Sequence, residues 1–123
     1  MQLRVAVPIP GFDKIKTYEL EQIDDFFYTL SGENISFTLI DPAKIREYRF
    51  DLPEGYAKKL EVEEGDHIKA LAMMVLQESI EQSMVNFLAP VVINETKGLV
   101  AQVVLDEQKY PDFALAEAIG NYL

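Results

Sequence analysis

The segment Met84–Asn94, MVNFLAPVVIN, constrains the fold more than any other stretch of the chain. Val85, Phe87 and the run Val91–Ile93 are β-branched or aromatic, side chains that fit a pleated, half-buried surface. Pro90 has no N–H to give a ladder, so a strand through it must bend, bulge or reach an edge. Asn86 and Asn94 put amides on an otherwise apolar strip, and each needs a partner if buried. Glu95-Thr96-Lys97-Gly98 then reads as a turn, with Gly98 at the φ > 0 position, and Leu99–Leu105 as a returning strand. The expectation is a β-hairpin. It carries no nucleophile, metal-ligand spacing or phosphate loop, so its chemistry is packing and surface shape. That points toward binding.

The rest of the chain supplies further short elements. Gln2–Val7 and Thr17–Leu20 read as strands, and Phe26–Ile40 as a second hairpin turning at Ser31–Asn34, with Ile35, Phe37 and Leu39 on one face. Asp41 caps a short helix over Ala43–Arg46 with Pro42 at its first position. Tyr48–Leu52 returns to an extended pattern, and Gly55–Val62 gives one or two helical turns. His67–Met84 has two readings. Its apolar residues fall at helical spacing among strong helix formers, which favours a helix. A buried strand over Ile68–Leu76 also reads as a continuous apolar run. Near the end, Asp112 caps a predicted terminal helix over Phe113–Ile119, with Gly120 as its stop. A helix that short must dock on something.

Charge narrows the function classes. Against 11 Lys+Arg the chain carries 21 Asp+Glu, a net charge of −10. Such a field repels phosphate backbones and anionic lipid, which argues against direct nucleic-acid or membrane partners. It serves solubility, or a partner with a basic surface. At 123 residues the chain reads as a single domain, 1–123, able to bury roughly 65% of its unfolded surface. No cysteine is present, so neither disulfides nor thiolate chemistry are available. The opening MQLRVAVPIPGF reads as neither a signal peptide nor a span, and the expected location is cytoplasmic.

Catalytic signals are sparse. His67 is the sole histidine, a poor basis for a zinc site or a Ser–His–Asp triad, and no GxSxG, GxGxxG or Walker pattern occurs. No metal or cofactor is expected. The carboxylates Asp24, Asp25, Glu61, Glu63, Glu64 and Asp66 fall in polar, turn-like contexts where a solvated face is the ordinary explanation. Acid–base work would need an environment that splits a pair's pKa values. Arg46 and Arg49 flank Tyr48, where a cation–π or ion-pair contact would hold the Asp41–Leu52 segment.

Taken in order, these pieces resemble a known family. Pro10-Gly11-Phe12, Ile40-Asp41-Pro42, Tyr48-Arg49-Phe50-Asp51-Leu52-Pro53, Val85–Asn94, Ala101–Asp106 and Tyr110-Pro111 are similar in sequence and spacing to the flagellar assembly factor FliW family, over roughly residues 9–113. The resemblance implies a mainly β fold: a compact, antiparallel, barrel-like domain with one or two short helices. Residues 113–123 form a C-terminal helical extension past the family's usual end. It makes Ile68–Leu76 a strand and Glu78–Ser83 a loop.

It also implies a non-enzymatic protein that binds flagellin in the cytoplasm and antagonises CsrA, a small RNA-binding translational repressor. Exchange between these partners couples flagellin synthesis to export. A small β-barrel enzyme or ligand-binding domain sharing the fold is the alternative. The candidate partner-binding residues are Asn86, Phe87, Leu88, Pro90, Val91 and Asn94, where an edge left by Pro90 could accept a partner strand. The acidic Asp24, Asp25, Glu61, Glu63 and Glu64 are candidates for a CsrA-facing surface. The amphipathic tail either docks on its own barrel as plain structure or occupies the same groove that would take a flagellin helix, as an internal competitor.

Overall fold

Side-chain alternation builds the first half of the chain. In the computed structural model, which describes residues Met1–Leu123, β1 (Gln2–Val7), β2 (Thr17–Gln22), β3 (Phe27–Gly32) and β4 (Ile35–Ile40) pair in succession as antiparallel neighbours. Leu3, Tyr18, Leu20, Tyr28, Leu30 and Leu39 turn inward from these strands while Thr17, Glu19 and Glu21 face water, the period-two pattern of a half-buried sheet. β5 (Ile68–Val75) pairs with β4, β6 (Met84–Asn94) with β5, and β7 (Leu99–Gln102) with β6. Finally β7 lies beside β1, which closes a seven-stranded barrel.

That last pairing is parallel, Arg4 to Leu99 and Val5 to Val100, so the barrel is mixed where an antiparallel one was expected. The physical reason lies in the closing strands. The β6–β7 hairpin fixes the direction of β7, and β1 can only meet it running the same way.

The core has two layers. Inside the barrel, Leu3, Tyr18, Leu30, Leu39, Leu71, Val91, Ile93 and Val100 pack together. Outside, the other face of β5, β6 and β7 presents Ala72, Met74, Val85, Phe87, Val92, Leu99 and Ala101 to a second layer. That layer comes from the long β4–β5 connection, with α1 (Glu54–Lys59), and from the chain after β7: Leu60, Val103, Leu105, Phe113 and Ile119.

The two layers explain β5. Leu71 packs inside and Ala72 and Met74 outside, so the strand is buried on both faces and its apolar residues run together instead of alternating. Helical spacing in the sequence was therefore a by-product of double burial. The strand that the resemblance implied is the one that forms.

The terminal helix expected over Phe113–Ile119 does not form. Phe113 ends a turn, Glu117–Ala118 forms a short strand β8 against Met84 and Val85, and Ile119–Tyr122 is a 3-10 turn. The backbone partners of β6 outcompete a helix too short to pay its own nucleation: the Phe87 N–H donates to the Ala114 carbonyl at 2.9 Å and the Ile119 N–H to Ser83 at 2.8 Å. The tail docks on its own barrel, with Ile119 2% exposed. No helix is long and apolar enough to cross a membrane.

Candidate partner-binding groove

Pro90 produces a bulge. Leu71 opposes Val91 and Met73 opposes Asn86, so Phe87, Leu88, Ala89 and Pro90 stand opposite Ala72 alone. Every exposed demand of that bulge is met from within. The Asn86 carboxamide oxygen accepts from the Leu88 and Ala89 N–H groups at 3.1 and 3.0 Å. The Tyr48 hydroxyl donates to the Phe87 carbonyl at 2.6 Å, and burial pushes that phenol well above its ordinary pKa, so it remains a donor. Leu105 donates to Leu88 and Val103 to Pro90, at 3.0 and 2.9 Å, and Gln102 donates through Nε2 to Ala89 at 3.1 Å.

The edge expected at Pro90 is therefore absent. Phe87, Leu88, Pro90, Val91 and Asn94 are buried and Asn86 is half-buried, so these side chains hold the bulge and core together and offer no surface to a partner. The reason is the second core layer, which covers the face that the strand alone would have exposed.

Asn94 ends β6 with a different task. Its Nδ2 donates to the Leu60 carbonyl and to Asp66 Oδ2, both at 2.9 Å, while its Oδ1 accepts from the Lys97 N–H. Lys97 Nζ in turn reaches Glu63 Oε1 at 2.6 Å, the Glu61 carbonyl at 2.9 Å and Asp66 Oδ2 at 3.0 Å. The structure thus brings Asn94, Glu61 and Glu63 together around Lys97, with Glu64 exposed in the adjoining turn. Asp24 lies elsewhere, between β2 and β3, where its Oδ1 accepts from the Phe26 and Phe27 N–H groups and builds the turn. Asp25 beside it is exposed. The two acidic groups occupy separate loops.

A groove of about 760 Å³ lies between β5 and the connection that follows β4. One wall is Ile68, Lys69 and Ala70; the other is Tyr48, Phe50 and Leu52, with Pro42 and Ala43 at one end and Tyr110 at the other. Asp41 Oδ1 caps the Pro42–Lys44 3-10 turn through the Ala43 N–H, as the sequence implied. The wall Tyr48–Leu52 is then pinned at both ends, by Tyr48 on Phe87 and by the Asp51 N–H donating to the Tyr110 hydroxyl at 2.8 Å. Desolvation opposes charge on Lys69, but the Tyr28 hydroxyl at 3.1 Å and the nearby Glu95 carboxylate outweigh it and raise the ammonium pKa.

Arg46 locks the wall to the tail. Its guanidinium carbon lies 5.2, 5.1 and 5.8 Å from the ring centroids of Phe87, Phe113 and Tyr122. Nη1 donates to the Tyr122 hydroxyl at 3.2 Å and to the Asp112 carbonyl at 3.3 Å. The holding role expected for Arg46 is the one observed. The groove residues themselves escaped the site prediction, although alternating Tyr48, Phe50 and Leu52 between charged Arg49 and Asp51 is a pattern that could have marked an apolar wall.

With this geometry in view, comparison with known proteins is decisive. The FliW family profile, described as FliW protein, matches residues 2–113. The chain belongs to the FliW family. A flagellar assembly factor FliW from Sulfurimonas denitrificans is 40% identical over 126 residues, covering 100% of this chain and 98% of the relative. One from Campylobacter lari is 38% identical over 127 residues, covering 100% and 97%. The alignments therefore run through the FliW-family chain's tail. A crystal structure of the flagellar assembly factor FliW superposes with a TM-score of 0.85 at 24% identity, covering 96% of this chain and 84% of that one, which establishes the shared barrel.

Proposed function

We propose that this chain is a non-enzymatic flagellar assembly factor that works in the cytoplasm by exchanging two protein partners, flagellin and a CsrA-type RNA-binding repressor. The observation that carries the reading is an open apolar groove, rigidly walled by Tyr48–Leu52, in a chain that aligns end to end with flagellar assembly factors. A wall pinned at both ends is preorganised and loses little freedom on binding. Its carboxylates are already committed, Asp41 to a cap and Asp51 to Lys109 at 3.5 Å, which favours binding over acid–base chemistry.

Charge supports the second partner. A body of net charge −10 held against an RNA-binding protein lowers that protein's attraction for phosphate. The exposed Asp24, Asp25 and Glu64 contribute to that field from separate loops. Titration of the purified protein against flagellin and against a CsrA-type repressor, then in competition, tests the proposal. Binding to each at micromolar concentration, with one displacing the other, is the expected result. Failure to bind either overturns it.

A further inference from the structure

Over its first half, β5 has an outer edge that no strand covers. Ala72 and Met74 meet Ile40 and Thr38 of β4. Beyond them the chain leaves the sheet: the Asp41 N–H goes to the Phe26 carbonyl at 2.8 Å, and Pro42, which would oppose Ala70, has no N–H. On the other side, the bond from the Glu95 N–H to the His67 carbonyl at 2.9 Å sets the alternation with β6. Lys69 and Leu71 therefore exchange bonds with Ile93 and Val91, while Ile68 and Ala70 direct N–H and C=O away from β6. No loop backbone or side chain meets them there. These unpaired groups face the groove, and across it the backbones of Arg49, Phe50 and Leu52 are unpaired too.

We propose that this groove is a strand-addition site: an extended, apolar segment of a partner protein, carrying an acidic side chain, lies between β5 and the Tyr48–Leu52 wall and pairs its backbone with Ile68 and Ala70. The apolar lining of Phe50, Leu52, Ala70 and Val92 takes alternate side chains of that segment. Charge selects the occupant. Asp51 is paired with Lys109 and Asp41 lies near Lys69, which leaves Arg49, an exposed lining residue, without a carboxylate in ion-pair contact. Arg49 is thus a free cation in the groove of a chain of −10, open to an acidic side chain. A second copy is a poor occupant, because it would bring −10 against −10 and Arg49 against its own equivalent.

The inference rests on the chain being a protein-binding assembly factor, and flagellin and a CsrA-type repressor are the probes. Amide hydrogen exchange on the full chain reads the edge directly. In the free protein the Ile68 and Ala70 amides should exchange with little protection, and saturation with the partner that occupies the groove should slow both by about tenfold or more. Ala70→Pro, which removes an N–H the fold does not use, and Arg49→Glu should each weaken that partner by about tenfold. Where Ala70→Pro does not fold, as judged by its melting transition, the wild-type exchange measurement and Arg49→Glu decide.

If a partner binds at micromolar concentration and both amides stay fast, strand addition is wrong and the proposed function stands. Protection that grows with protein concentration and no partner would assign the edge to a second copy and overturn the inference. Absence of binding by both probes overturns the proposed function, and this inference with it.

Discussion

Replacing Asn94 by Leu removes, in one step, a donor to the Leu60 carbonyl, a donor to Asp66 and an acceptor for the Lys97 N–H. Each buried polar group left without its partner costs about 1–3 kcal/mol. Asn94→Leu is therefore expected to lower the unfolding free energy by about 2–4 kcal/mol in urea titration. Asp66 supplies the pH dependence of the same cluster. Hydrogen bonds from Asn94, the Glu63 N–H and Lys97 hold its carboxyl below the ordinary value of 3.8. The folded state binds that proton less readily than the unfolded one, so the contribution is complete above about pH 4 and is lost as pH falls through the lower folded value. Thermal melts of Asp66→Asn should show a flatter stability profile below about pH 4 than the parent protein, from a lower plateau.

Two connections decide how the elements meet. Glu61 follows α1 with φ 54, and the Val62 N–H reaches back to the Ala57 carbonyl at 3.0 Å, so a non-glycine residue holds the left-handed stop of the helix. Glycine adopts that conformation without steric cost, and Glu61→Gly is expected to raise stability by about 1 kcal/mol. Arg46 is the other connection. Arg46→Ala should release the tail, with the Ile119 N–H losing hydrogen-exchange protection by about tenfold while β3 amides hold theirs.

These elements also show what the sequence could convey. The two hairpins, the Asp41–Pro42 cap and the Gly98 turn rest on local patterning and formed with shifted ends: β7 stops at Gln102 short of Leu105, the capped 3-10 turn covers Pro42–Lys44 and not Ala43–Arg46, and β3 runs on to Gly32. The tail rests on partners supplied by β6, thirty residues and more away in the chain, which no local pattern encodes. The groove was hidden for the same reason. Ile68 and Ala70 become an edge only because β4 ends at Ile40, just before Pro42, a fact about two strands at once.

At the scale of the whole molecule, closure depends on β1 and β7, whose paired residues, such as Arg4 and Leu99, lie about three quarters of the chain apart. Contacts of such separation are slow to form, because loop closure must precede any gain from pairing. A fragment ending at Lys97 lacks β7 and is expected to show no cooperative melting transition and little near-ultraviolet signal, although it retains the β2–β3–β4 meander. Double-sided burial of β6 reinforces this, since Val91 and Val92 serve opposite core layers and both need the strands that come last. Translation makes that architecture a matter of timing. A nascent chain exposes β2, β3 and β4 early, but the groove has no floor until Val92 is in place and no rigid barrel behind it until Leu99–Gln102 has left the ribosome. Under the proposed function, a chain built this way would join the partner exchange only after its own synthesis is essentially finished.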